Sequence, residues 1–125
     1  MNVLHGIHTW LSLTAVWLYN QVRFLPHDIE NHVVCRNTSD LERFPQPNLH
    51  VYGQEDNPGD YLDRLLTKFG YGRFDSFIAK TAEVTGAKIL HSHFGQNGWR
   101  HLGAARRAGV KHIVTFYGWD LGQLP

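Results

Sequence analysis

At 125 residues the chain has room for one domain or a part of one. With 42% hydrophobic and 18% charged residues it can bury a core, which excludes an intrinsically disordered chain. Twelve Lys plus Arg against eleven Asp plus Glu leave a net charge of +1, so a nucleic-acid polymer is not expected as the main partner.

The first apolar run, Asn2 to Ile7, is bounded by polar residues and suits a buried parallel strand. A loop around His8 to Ser12 follows. "TWLSLTAVWLY" has no basic segment before it and no small-x-small cleavage site. It is also shorter than the roughly 18–20 apolar residues of a membrane span, so it reads as part of a folded domain. From Thr14, Val16, Tyr19, Val22 and Phe24 recur at helical spacing and Pro26 closes the segment. "ENHVVCR" is a second strand. Cys35, the single cysteine, sits in it as a buried apolar thiol and has no partner for an internal disulfide, which fits a reducing cytoplasm.

"NTSDLERFPQP" reads as a loop, "NLHVYG" as a short third strand and "QEDNPGD" as a cluster of breakers. Tyr61, Leu62, Leu65, Leu66 and Phe69 then form a helical stripe, with Asp60 placed to cap it. Phe74, Phe77, Ile78, Ala82 and Val84 give another helical face, ended by Gly86. "AKILHSHF" is a fourth strand, a helix runs from about Asn97 to Ala108 with Gly109 as its cap, and "KHIVTFY" is a fifth strand. Strands alternating with helices over short links predict an α/β fold: a Rossmann-like parallel sheet, at roughly residues 2–7, 31–36, 48–52, 88–93 and 111–116, in the order 3-2-1-4-5. No helix or strand is read after the fifth strand, so the domain is expected to be incomplete at its C-terminal end.

In such sheets ligands collect beyond the carboxyl ends of the strands. His5 to Ser12, His91 to Gly98 and Tyr117 to Gly122 all fall there. His91 and His93, two apart on a strand, share one face. Gly95 and Gly98 let the chain turn closely into the next helix, whose N–H groups face the same cleft. His91 reads as a brace within the strand end and His93 as a lining residue. His5, His8, His91 and His93 could together hold a metal, but carboxylates are few near these strand ends and His-x-His alone is weak, so no metal is expected. Gly118 admits a ligand near the backbone, and Asp120 either accepts sugar hydroxyls or caps the next turn. Trp119 reads as packing. Arg100, Arg106, Arg107 and Lys111 crowd one helix and its exit, either as a solvated face or toward an acidic partner or anionic lipid.

"ILHSHFGQNG" followed by "GVKHIVTFYGWDLGQLP" resembles the N-terminal, acceptor-side domain of family 4 retaining GT-B glycosyltransferases. In many members one strand ends in His-x-His-Phe-Gly and the next in Thr-Phe-His-Gly-x-Asp or Thr-Phe-Tyr-Gly-x-Asp. "LTAVWLYNQVRFL" and "LERFPQPNLHVYG" resemble earlier segments of that domain, so the likeness extends over nearly the whole chain. The resemblance implies that residues 1–125 form one half of two facing Rossmann-like domains and hold the sugar acceptor. The nucleotide diphosphate sugar would sit mainly on a separate C-terminal donor domain, the expected partner of this one. The parent would transfer a hexose-type sugar to a glycan, lipid or polysaccharide acceptor with retention and without a cofactor or metal, in the cytoplasm or at the inner face of the membrane. These 125 residues alone would be inactive. By the same resemblance His93 is the catalytic candidate, with Gly95, Tyr117, Gly118 and Asp120 on the acceptor side. Tyr117 replaces the histidine of many members, and a phenol titrates near 10 rather than 6.5. From the residues alone, a stand-alone α/β module that binds a polar ligand without chemistry is the alternative.

Overall fold

The structure is a computed structural model, and it describes residues 1–11, 15–53, 61–118 and 120. The elements run β1 (Asn2–Gly6), β2 (Thr9–Trp10), α1 (Val16–Arg23), β3 (Glu30–Cys35), β4 (Asn37–Thr38), β5 (Leu49–Val51), α2 (Tyr61–Thr67), α3 (Arg73–Thr85), β6 (Ile89–His93), α4 (Gly95–Ala108) and β7 (Lys111–Thr115). Five of the strands form one sheet in the order β5-β3-β1-β6-β7, and every pairing in it is parallel. Counted within that sheet alone, this is 3-2-1-4-5. The class is the Rossmann-like α/β class that the alternating pattern predicts.

The central strands are covered on both faces by helices or loops, as parallel sheets require. On one face Ile7, Trp10, Leu11, Leu18, Val22, Val33 and Cys35 pack beneath α1. On the other Leu4, Val34, Ile78, Ala82, Leu90, Ala104 and Ala105 pack beneath α3 and α4. Gly86 and Gly109 end α3 and α4 in the left-handed region, with φ 66° and 67°, as their sequence positions predict. Helix α4 lies hard against β7, since a Cβ on Gly98 would come within 2.5 Å of Val114 Cγ1.

Some boundaries differ from the sequence reading. The loop after β1 carries β2, which pairs with β4 inside the segment read as one long loop, and the buried Trp10 indole donates to the Phe44 carbonyl at 3.0 Å. Helix α4 begins at Gly95, two residues earlier than the periodicity marks, because glycine and polar residues of its first turn carry little hydrophobic signal. The stripe on α2 has no buried member: Leu62, Leu65, Leu66 and Phe69 are all exposed. Thr14, the Asp60 cap and Trp119 lie outside the described residues.

Candidate functional site at the strand ends

Parallel register sets His5 opposite His91 on neighbouring strands, and His93 follows two residues later on the same face. The three rings therefore gather on the α1 side of the sheet, with centroids 5.4 Å apart for His5–His91, 5.2 Å for His5–His93 and 4.2 Å for His91–His93. His93 Nε2 lies 3.0 Å from His5 Nδ1, and His93 Nδ1 lies 2.7 Å from the Tyr117 hydroxyl. At the far end His5 Nε2 meets Asn31 Oδ1 at 3.0 Å, and the Tyr117 hydroxyl meets Gln21 Oε1 at 3.1 Å. His91 Nε2 contacts the Thr115 hydroxyl at 2.7 Å.

Proton positions along this string follow from its ends. Asn31 Nδ2 donates to the Val22 carbonyl at 3.3 Å, which leaves Oδ1 facing His5. His5 Nε2 must then carry its proton, and His5 Nδ1 is a bare acceptor. His93 Nε2 donates to it, so His93 Nδ1 is bare and accepts the Tyr117 proton. One half-buried asparagine thus fixes two histidine tautomers and turns the phenol proton toward His93, away from Gln21 Oε1.

Burial sets the charges. Desolvation depresses His5 to about 4, against its hydrogen bond to the Asn31 side-chain oxygen, which favours the charged form. Desolvation, followed by the neighbouring His91 and His5, depresses His93 to about 2. His91 is lowered by burial and then by His112. Burial raises Tyr117 to about 12, and the Asp120 carboxylate adds to the rise. Near neutral pH the string is uncharged: neutral imidazoles ending in a protonated phenol. Such an array orients hydroxyl groups better than it abstracts protons.

Two loops meet at this string. Asp120, fully buried, accepts the Gly95 N–H at 2.6 Å with one carboxylate oxygen and the Tyr117 N–H at 2.8 Å with the other. The turn after β6 and the turn after β7 are therefore one unit. Between them Phe94 has φ 74° and ψ 141°, a conformation disfavoured for any residue but glycine and worth about 1–3 kcal/mol of strain. Its ring packs on Trp17 and Tyr117, with centroids at 6.0 and 4.9 Å, and that packing holds the strained backbone in place. The missing Cβ at Gly95 is filled by the Phe116 ring. Gly118 has φ 81° and open space where a side chain would be.

The structure brings His93, Gly95, Tyr117, Gly118 and Asp120 together, as their strand-end positions predict. Exposure runs differently from the expectation for the two histidines: His93 is 1% exposed, whereas His91 is half-buried. Tyr117, half-buried, stands between His93 and the surface. Asn31, Gln21 and Trp17 were not legible as site residues, because nothing local marks them and only sheet order and the seating of α1 bring them in. On the opposite face Ser92 bonds His101 and His112, each at 2.9 Å, in a buried cluster distinct from this one. No helix among the described residues is long and apolar enough to cross a membrane. A scan of protein-family models finds none that matches the chain, and a search of curated proteins finds no match.

Proposed function

We propose that the chain is the acceptor-binding, N-terminal half of a family 4-like retaining glycosyltransferase. The full protein would move a sugar from a nucleotide diphosphate sugar to a glycan, lipid or polysaccharide acceptor. The observation that carries this reading is the Asp120 carboxylate joining the Gly95 and Tyr117 amides. It makes the His-x-His-Phe-Gly and Thr-Phe-Tyr-Gly-x-Asp segments one corner at the carboxyl ends of two adjacent strands, where α/β sheets take their ligands. In this reading Tyr117 and the Gly118 backbone meet the acceptor, and His93 orients the Tyr117 hydroxyl from behind at the reacting end. Gly95 and Asp120 fix the loop that presents them. Stabilising the departing diphosphate would fall to the donor domain, so this chain would not turn over by itself.

The basic residues fit a peripheral contact with an anionic membrane bearing a glycolipid acceptor. Arg100, Arg106 and Arg107 line a cavity of about 970 Å³ together with Lys68, Phe69 and Trp99. Trp99 and Phe69 are 79% and 70% exposed, the mixture of ring and cation that binds at headgroup depth.

The neutral state of His5 and His93 would serve ligand binding without chemistry equally well, so the test must separate the two. Acceptor glycans and glycolipids would be screened against the chain by saturation-transfer NMR, in wild type and Tyr117→Phe. The chain would then be paired with a donor domain and assayed for transfer with retention. Sugar binding weakened by Tyr117→Phe together with transfer supports the proposal. Binding with no transfer from any nucleotide sugar would leave the binding module, and turnover by the 125 residues alone would refute the division of labour.

A further inference from the structure

We infer that His5, His91 and His93 form a binding site for one divalent transition-metal ion of the zinc class. A ring nitrogen from each of the three lies within 4.8 Å of the other two. Imidazoles bound to one ion at about 2.0–2.1 Å stand with ring centroids about 5 Å apart. The observed 5.4 and 5.2 Å separations from His5 match that spacing, and the 4.2 Å separation of His91 from His93 falls short of it. The shortfall falls on His91, the least enclosed of the three rings. Weighed on sequence, a metal lacked nearby carboxylates. Three neutral imidazoles need none, and they suit zinc, nickel, copper or iron rather than magnesium or calcium.

Hydrogen-bond accounting supplies the second observation. His5 Nδ1 and His93 Nε2 face each other at 3.0 Å, and without an ion a single proton must sit between them. That proton forces His93 Nδ1 to accept from Tyr117, whose one hydroxyl proton then cannot also reach Gln21 Oε1 at 3.1 Å. The metal-free network closes only with the Gln21 amide turned end for end. An ion in place of the proton removes the conflict. His93 Nδ1–H then donates to Tyr117, and Tyr117 donates to Gln21 Oε1. His5 Nε2–H still donates to Asn31. Each of these two ligands would thus have its outer nitrogen held by a neutral acceptor, the arrangement that orients metal-bound histidines. Binding releases no net proton: His93 changes tautomer, giving up the proton on Nε2 and carrying one on Nδ1, while His5 and Tyr117 keep theirs.

This inference does not rest on glycosyl transfer, and either can fail without the other. The test is calorimetric titration of zinc chloride into the untagged, metal-stripped chain, in wild type, His91→Ala and His50→Ala. His50 belongs to a separate pair, 3.3 Å from His32, and reports adventitious histidine binding. We expect one zinc per chain, affinity at least tenfold weaker in His91→Ala, and no change in His50→Ala. His91 is half-buried, so its variant is the one best placed to fold, and circular dichroism checks that it does. Ring ¹⁵N shifts of the wild-type chain must also show the His93 proton moving from Nε2 to Nδ1, with the ion on His93 Nε2 and His5 Nδ1. If the His91 variant does not fold, these shifts decide the matter alone. Absence of saturable one-to-one binding, undiminished binding in folded His91→Ala, loss of binding in His50→Ala, or unchanged His5 and His93 shifts would each overturn the inference.

Discussion

Replacing Asp120 with Asn tests whether one carboxylate holds the two loops of the site together. Both oxygens of the buried carboxylate accept backbone N–H groups, from Gly95 at 2.6 Å and from Tyr117 at 2.8 Å. Hydrogen bonds to a charged acceptor are worth about 1.5–3 kcal/mol each. Asparagine keeps one acceptor oxygen and turns an NH₂ toward the other amide, donor against donor. One charge-assisted bond is lost outright and the survivor becomes a weaker, neutral one. The expected cost is about 3 kcal/mol for Asn, and about 3–5 kcal/mol for Ala, which abandons both amides. A loss of about 3 kcal/mol lowers the melting temperature of a domain of this size by roughly 10 °C. Urea denaturation should show a shifted midpoint with an unchanged slope, since the area exposed on unfolding is the same. Amide exchange at Gly95 and Tyr117 should accelerate more than at Leu90 in the core. An Asn variant within about 0.5 kcal/mol of wild type, the scatter of surface substitutions, would refute the loop-tie reasoning.

Acid should unfold the chain early. His5, His93 and His101 are depressed to about 4, 2 and 3, so below the ordinary value of 6.5 the unfolded state binds more protons. Their contribution is complete above that value and drains by up to about 1.4 kcal/mol per pH unit per histidine as pH falls toward the folded values. Asp75, raised to about 6, has the opposite sign: it favours the folded state most at low pH and loses that share as pH rises through its folded value. A stability–pH curve by urea titration should therefore fall steeply below about pH 6, and a flat curve down to pH 4 would contradict the burial of these rings. Gly103→Ala should cost about 3 kcal/mol, because its Cβ would meet the Gly70 backbone, which cannot turn aside as a flexible side chain could; chemical denaturation measures it. Cys35 is fully buried with its thiol raised to about 11, so a disulfide exchange reagent should label it only at the rate of unfolding.

The sequence by itself determined the elements and their class. Runs such as Asn2–Ile7 and the apolar start of Ile89–His93 are too short for a helix and are bounded by polar residues, so they read as buried strands. Gly86 and Gly109 announced helix ends, because only a residue without a Cβ enters the left-handed region at no steric cost. The i, i+2 rule alone puts His91 and His93 on one face. Local pattern could not say what those faces touch. The stripe on α2 has the same periodicity as a buried one, yet it is exposed, since periodicity reports a helix and not its neighbours. The pairing of β2 with β4 rests on two residues from each strand, too few to leave a pattern. His5 meets His93 across 88 residues, and Gln21 meets Tyr117 across 96. Asp120 could equally have capped a turn or faced a ligand until two amides were seen on its two oxygens. Strand order, register and the seating of α1 made those contacts. They belong to tertiary structure because they join groups whose nearness no local spacing encodes, and the tautomers, depressed pKa values and loop tie all follow from that nearness.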